Sequence, residues 1–406
     1  MMKWMNYAAV AALAFVAILS VHGEAPAGDL PRVFLLDAKT LAQHRPEPLG
    51  GSSDPIVILA IVAANKVRDD GPFSVMQKSV VPPSGDKHDY MSQATYYWPN
   101  PDTPNHLPYV RRDGERNPEI LLIGDDDRMH HVSSDANALA LAYYLTGVEN
   151  YAARAALLLR TWFLDPATRM NPNLNFAQAI PGINTGRGIG IIDTHTLPEV
   201  VDAVGLLAES KSWTDADQKG MERWFAAYLD WLETNPHGHD ESNAKNNHGT
   251  WFDVQAADFA LFSGENDLAA RILKQAETKR VATQIELDGR EPLELARTRS
   301  FDYSVFNVNG LAQLARLGET ARVDLWHFET RDGRSIRRAL DFLVPYATGE
   351  KKWTYQQITA PKPDDLVPVL LMAARVYRDP AYATAASRIE GQTDDPEVLL
   401  LRAGLP

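Results

Sequence analysis

The chain has 406 residues, 45% of them hydrophobic and 23% charged, a composition that is ordinary for a folded globular protein and excludes fibrous or disordered classes. Its formal net charge of −13 argues against a nucleic-acid-binding protein, which needs a basic surface. The chain has no cysteine, so disulfides, thiolate catalysis and thiolate metal sites are excluded.

Residues 1–27 have the pattern of a secretory signal peptide. Lys3 gives a charged start, Ala8–Val21 is almost purely apolar, and Ala25 and Ala27 form a small-residue exit. The apolar run is short for a membrane span, and an uncleaved anchor is the alternative interpretation. The pattern predicts a periplasmic or secreted protein with no membrane association after cleavage.

From Ser133 onward the pattern is helical, because apolar residues recur at spacings of three and four. The predicted helices are Ser133–Thr146, Asn150–Phe163, Thr196–Ala208, Thr214–Glu233, Thr250–Phe262, Leu268–Ile285, Val305–Leu317, Ile336–Tyr346, Asp365–Tyr377 and Ala381–Ile389. Ser133 marks a helix start, and Thr214 with Asp217 forms a capping-box pattern at another. Gly264 and Gly318 are expected to end helices.

Two long segments, Lys78–Asp127 and Met170–Gly190, are rich in turn-forming residues and are predicted to be irregular. Val57–Ala63 fits either a strand or a buried helix. Consecutive helical hairpins predict an all-α fold, an α/α toroid (an incomplete barrel of helical hairpins) whose long loops line a central cleft. An irregular helical bundle is the alternative. A single domain over residues 29–406 is expected.

The first candidate for chemistry is Asn246-Asn247-His248, directly before an apolar helix. One asparagine is explained as a helix cap. A second asparagine and a histidine are not explained in this way. Neutral amide donors beside an imidazole suit a site that holds a carboxylate and stabilises growing negative charge.

The second candidate is the segment Glu294–Tyr303. If it is helical, Arg299 and Tyr303 lie at i and i+4 on one face, with Phe306 one turn further. An arginine pairs with carboxylates and is expected to lower the pKa of a nearby phenol. Such a tyrosine can exchange protons. A surface arginine next to a packed tyrosine is the structural alternative.

The remaining candidates are predicted to bind substrate. The loop around Tyr96 supplies aromatic rings that can stack on sugars or fix the loop to the body. Arg187 lies in a glycine-rich loop. His195 follows this loop and precedes a helix, where a structural role is the alternative. The predicted substrate-binding residues are Gln93, Tyr96, Tyr97, Trp98, Arg187, His195, Asn246, Trp251 and Arg297.

These features together resemble the alginate lyase superfamily of α/α-toroid polysaccharide lyases. The matching segments are Tyr90–Pro101, Asn246–Trp251 and Glu294–Tyr303, which in order and rough spacing cover most of the mature chain. The resemblance implies β-elimination on an anionic uronic-acid polysaccharide, such as alginate or glucuronan, without a metal ion or cofactor. It makes no prediction of the oligomeric state.

The resemblance also implies roles for individual residues. Asn247, His248 and Arg299 would neutralise the carboxylate at C5 of the reacting sugar. The proton-carrying tyrosine of the best-known mannuronate lyases falls at Phe306, so Tyr303 is the substitute and the branch is near, but not identical to, those enzymes. In mannuronate and glucuronate H5 and O4 share one side of the ring, which favours syn elimination with Tyr303 as base and acid. In guluronate they do not, and His248 would be the better base.

Two rival classes remain open from the sequence. An inverting glycoside hydrolase on the same toroid needs two carboxylates across a cleft, for which Asp240, Glu241 and Asp302 are candidates, although no motif pairs them. A non-catalytic polyuronate-binding protein would keep the aromatic loop and the arginines. It would not need amides, imidazole and tyrosine to converge.

Overall fold

The computed structural model describes residues 30–45, 53–390 and 393–405. The predicted signal peptide, residues 1–27, lies outside this range. Within the described range, no helix combines the length and the apolar character that a bilayer crossing requires.

The described residues are mostly helical, as predicted. In chain order the helices are α1 (Ala38–Gln43), α2 (Pro55–Val67), α3 (Asp125–Thr146), α4 (Glu149–Leu159), α5 (Leu197–Leu206), α6 (Asp215–Thr234), α7 (Pro236–Ser242), α8 (Asn247–Ser263), α9 (Asn266–Ala276), α10 (Ala282–Gln284), α11 (Pro292–Leu295), α12 (Ser300–Ala321), α13 (Ile336–Ala347), α14 (Val367–Tyr377), α15 (Pro380–Ile389) and α16 (Pro396–Ala403). Each of the predicted helices is present, and the ambiguous segment around Val57 is helical.

The start of α3 and the end of α12 differ from the prediction. α3 begins at Asp125 rather than Ser133, because Gly124 with φ 76° precedes the helix and three aspartates fill its first turn, where negative charge is favourable. Gly318 lies inside α12, which ends at Arg322 in the left-handed conformation. The carbonyl of Val323 approaches Gly318 too closely for any side chain to fit, so packing explains this glycine.

The helices form an α/α toroid. α3, α5, α8 and α12 pack against one another in sequence, and α2, α4, α6 and α9 pack against them. α8 is buried around nearly its whole circumference, which is the pattern of a central helix. The first residues of α8 and α12 therefore lie close together, at positions fixed by the core.

Two small sheets connect the long irregular segments. The strands are β1 (Met91–Gln93), β2 (Tyr97–Trp98), β3 (Val110–Arg111) and β4 (Phe176–Ala179). β1 pairs with β4 in parallel, which joins the two long segments to each other. β2 pairs with β3 antiparallel, so that Tyr97 lies opposite Arg111. These pairings give defined positions to loops that have no helical pattern.

A buried arginine holds the turn between α7 and α8. Arg280 is 1% exposed and donates to both carboxylate oxygens of Asp253, at 2.7 and 2.9 Å. It also donates to the carbonyls of Ser242 and Ala244, at 2.8 and 2.7 Å. One guanidinium thus connects α8 to the turn that precedes Asn247 and His248.

Replacing Arg280 by methionine is expected to leave the Asp253 carboxylate buried and unpaired. We expect the Arg280→Met variant to lose about 3–5 kcal/mol of unfolding free energy, measured by urea denaturation followed by circular dichroism. Arg271→Met, at an exposed position on α9, is the matched control with an expected change within about 0.5 kcal/mol. Equal losses of unfolding free energy in both variants would mean that the hydrogen bonds of Arg280 do not stabilise this turn.

Candidate active site

A cleft of about 630 Å³ opens where the long irregular segments meet the first residues of α8 and α12. Its lining residues are Thr95, Tyr96, Tyr97, Arg111, Asp126, His130, Gln178, Arg187, Ile189, Ile192, Asp193, His195, Ala244, Lys245, Asn246, Asn247, His248, Leu293, Arg297, Tyr303 and Phe306. The cleft contains Asn246, Asn247, His248 and Tyr303 together, although they come from distant parts of the chain.

Asn247 is fixed by a buried carboxylate. Its backbone N–H and its Nδ2 donate to the two oxygens of Glu294, each at 2.7 Å. Burial raises the pKa of Glu294, against the lowering effect of the bonds from Asn247 and the charge of Arg297. Asn246 is the N-cap of α8, but its side chain makes no capping hydrogen bond, so the cap explanation does not account for it.

His248 is oriented by a second buried carboxylate. Its Nδ1 lies 2.7 Å from Oε1 of Glu241, a residue that is 1% exposed. A carboxylate in this position fixes Nδ1–H as the donor and leaves Nε2 as the acceptor. Glu241, a candidate acid for the rival hydrolase, lies behind His248 and is not a lining residue of the cleft.

Tyr303 is enclosed by an arginine and a second tyrosine. The guanidinium carbon of Arg297 lies 3.7 Å from the centroid of the Tyr303 ring. Arg297 is itself held by Asp113, with its NH2 nitrogen 2.8 Å from Oδ1. The hydroxyl of Tyr303 donates to the hydroxyl of Tyr96 at 2.7 Å. The Tyr303 ring therefore carries a cation on its face, and its hydroxyl has a hydrogen-bond acceptor.

The pKa of Tyr303 is raised, opposite to the sequence expectation. Burial is the largest cause, and the neighbouring Tyr96 raises the pKa further, while the charge of Arg297 lowers it. Desolvation of a phenolate outweighs one nearby cation. Tyr303 is therefore a phenol, with its proton bound, in the resting protein.

Arg299 does not lie in the cleft lining. The backbone N–H of Tyr303 donates to the Arg299 carbonyl, so the predicted i, i+4 relationship is present. The Arg299 guanidinium, however, pairs with Asp302 at 2.8 Å. The chain bends between α11 and α12, and this bend places Arg297 rather than Arg299 over the Tyr303 ring.

The other predicted substrate-binding residues divide into two groups. Tyr96, Tyr97, Arg187 and His195 line the cleft with Asn246 and Arg297, whereas Gln93, Trp98 and Trp251 do not. Trp251 is buried and stacks on Phe306 at 4.8 Å between ring centroids, so it supports the cleft wall from behind.

Several lining residues were missed from the sequence, above all His130 and Asp126. Asp126 Oδ1 lies 3.5 Å from His130 Nε2, one turn apart on α3. Burial alone would lower the pKa of His130, but the bond and charge of Asp126 raise it. Burial and the nearby His130 lower the pKa of His195 to about 4. In the sequence, the i, i+4 spacing of Asp126 and His130 could have indicated that the two side chains lie together on one helix face.

Comparisons with known proteins identify the class. The model of the alginate lyase family matches residues 74–353. An alginate lyase from Bacteroides ovatus is 37% identical, with a TM-score of 0.87 over 92% of this chain and 99% of that chain. No curated protein matches the chain. The protein is a polysaccharide lyase. The chain belongs to the alginate lyase family.

More distant solved structures share the fold. Alginate lyase A1-III from Sphingomonas species A1 is 17% identical, with a TM-score of 0.53 over 87% of this chain and 99% of that chain. A variant of alginate lyase A1-III complexed with a tetrasaccharide is 16% identical, with a TM-score of 0.50 over 86% of this chain and 99% of that chain. These structures support the toroid.

The Asp113–Arg297 pair gives a pH-dependent contribution to stability. Burial would raise the pKa of Asp113, but hydrogen bonds from Arg297 and Thr298 hold it well below its ordinary value. Because the folded-state pKa lies below the unfolded-state pKa, about 3.9, the contribution is fully present above the unfolded-state pKa and is lost progressively as the pH falls from there through the folded-state pKa. We expect Asp113→Asn to lose about 2 kcal/mol at pH 7 and only part of that at pH 3.

Urea unfolding at both pH values measures this difference. Asp230→Asn, at an exposed position on α6, is the control and should show no comparable loss. If Asp113→Asn loses the same unfolding free energy at both pH values, the charge of Asp113 is not the cause of the loss.

Proposed function

We propose that this polysaccharide lyase cleaves a uronic-acid polymer, containing mannuronate or glucuronate, by syn β-elimination without a metal ion or cofactor. The observation that carries the proposal is the convergence of His248 and Arg297 with Tyr303 in one cleft. The Bacteroides ovatus relative, an alginate lyase, supports a uronate substrate. Alginate and glucuronan are the substrates to test.

The first requirement of the reaction is neutralisation of the C5 carboxylate, because this makes the C5 proton acidic enough to remove. Asn246, Asn247 and His248 supply amide and imidazole groups, and Arg297 supplies a positive charge. We assign Arg297 the role that the resemblance gave to Arg299, because Arg297 lines the cleft and Arg299 does not. Glu241 and Glu294 act as positioning residues, since they hold His248 and Asn247 in place.

The elimination itself breaks two bonds. A base removes the C5 proton, the released electron pair forms the C4–C5 double bond, and the C4–O4 bond breaks. An acid then gives a proton to O4 of the leaving chain. Because H5 and O4 lie on one side of mannuronate and glucuronate, Tyr303 serves both steps. Tyr303 must lose its own proton before it acts as base, and giving the C5 proton to O4 returns it to the phenolate at the end of the reaction.

The decisive experiment is ultraviolet absorbance with time, for protein mixed separately with polymannuronate, polyguluronate and glucuronan. A rise in absorbance shows that the unsaturated product forms, and the polymer that gives the rise identifies the uronate. No rise with any polymer over a range of pH values would overturn the proposal. Reducing-end release without absorbance would indicate a hydrolase, and affinity without either signal would indicate a binding protein.

Loss of the Tyr303 hydroxyl tests the proton carrier. We expect Tyr303→Phe to keep the fold and to lower kcat by at least about 100-fold, measured as the initial absorbance rise. Tyr377→Phe is the matched control, since its hydroxyl binds the Trp326 carbonyl away from the cleft. Near-wild-type activity of Tyr303→Phe would assign the proton transfer to another residue.

The pH dependence of kcat/KM tests which residue is the base. The raised pKa of Tyr303 means that its phenolate is scarce at neutral pH, so a tyrosine base predicts activity that increases with pH up to at least about 10. A plateau that is already reached at neutral pH would instead make His248 the base and leave Tyr303 as the acid.

A further inference from the structure

Arg187 differs from the other arginines of the cleft in its partners. Arg297 and Arg111 both pair with Asp113, at 2.8 and 2.6 Å. Among the described residues Arg187 makes no ion pair, although it lines the cleft. Burial lowers its pKa, which shows that the guanidinium is partly removed from water. A desolvated charge without a counter-charge is unfavourable.

The hydrogen bonds of Arg187 hold its position without cancelling its charge. Its Nε donates to the Gln178 carbonyl at 3.1 Å, and its NH2 nitrogen donates to Oε1 of Gln178 at 2.9 Å. Both acceptors are neutral. Its guanidinium carbon lies 5.2 Å from the centroid of the Tyr97 ring. The positive charge therefore remains available to an anion in the cleft.

The nearby acid, Asp193, is committed to other donors. Its carboxylate accepts hydrogen bonds from Tyr90, Ser92 and Gln178, at 3.0, 2.6 and 2.7 Å. Burial raises the pKa of Asp193 to about 7, which weakens it further as a counter-charge. Asp193 thus orients the Gln178 amide, which in turn orients Arg187.

The backbone around Arg187 is tightly constrained. Gln178 has φ 46°, a left-handed conformation that is uncommon for a non-glycine residue. Gly186 and Gly190 lie so close to Asn175 and Ala177 that neither position has room for a side chain. Backbone strain of this kind is concentrated at ligand sites. The loop is therefore packed rigidly against β4, with the guanidinium presented to the cleft.

Arg187 is placed next to the reacting centre rather than in it. Tyr96 contacts the Tyr303 hydroxyl, and the following residue, Tyr97, faces Arg187. We propose that Arg187 binds the carboxylate of the sugar adjacent to the one that reacts, so that the cleft selects polymers with consecutive uronate residues. This inference rests on the proposed function. A guanidinium can hold a carboxylate through two parallel hydrogen bonds.

The wild-type protein gives the first test. The polymer that is active in the absorbance assay is compared with the same polymer after partial reduction of its carboxyl groups to neutral alcohols, with rates expressed per remaining uronate. We expect kcat/KM to fall at least about tenfold for the reduced polymer. Equal values would overturn the inference, whereas inactivity on every uronate polymer would instead overturn the proposed function.

Variants of Arg187 give the second test. We expect Arg187→Gln to lower kcat/KM on the intact polymer at least about tenfold, mostly through KM, and to lose the preference for the intact form. Arg187→Lys, which keeps the charge without the planar fork, should retain part of the preference. Arg271→Gln, on the exposed face of α9, should match wild type, and thermal unfolding checks that each variant is folded. If folded Arg187→Gln keeps the full preference for the intact polymer over the reduced polymer, the inference is overturned.

Discussion

The cleft depends on how two buried carboxylates find hydrogen-bond donors. Glu294 and Glu241 are each 1% exposed, and a buried carboxylate without donors would be strongly unfavourable. Asn247 satisfies Glu294 through its backbone and side chain, and His248 contacts Oε1 of Glu241 through Nδ1, whereas Oε2 of Glu241 has no hydrogen-bond partner among the described residues. The first turn of α8 is thereby held between α7 and α11. The burial of two acids thus determines where the amide and the imidazole point.

The same arrangement explains how an acidic protein can accept an anionic polymer. The net charge is −13, and Asp126 and Asp193 line the cleft, but Asp113, Glu241 and Glu294 lie behind the groups they hold and are not lining residues. They fix arginine, histidine and amide donors without presenting negative charge to the cleft. The field that a substrate meets depends on such local placement rather than on the total charge. Arg187 is also held by hydrogen bonds, but its acceptors belong to a neutral glutamine rather than to a carboxylate.

The helices were predictable because apolar residues recur along them at spacings of three and four. The capping box at Thr214 and Asp217 was predicted and is present. The short helices α7 and α11 were not predicted, since helices of this length are not stable without tertiary contacts. The error at Gly318 has a related cause: the close approach of Val323 is a tertiary contact that leaves no periodic signal.

The sequence by itself determined the toroid, the segments that carry the chemistry and the residue types in them, because periodicity and residue chemistry are local properties. Only the tertiary structure decided that Arg297 rather than Arg299 covers Tyr303. Arg299 keeps its i, i+4 relationship to Tyr303, but its guanidinium pairs with Asp302, while Asp113 from a distant segment holds Arg297. It also decided the direction of the Tyr303 pKa shift, because burial depends on the packing of distant segments such as the one that carries Tyr96.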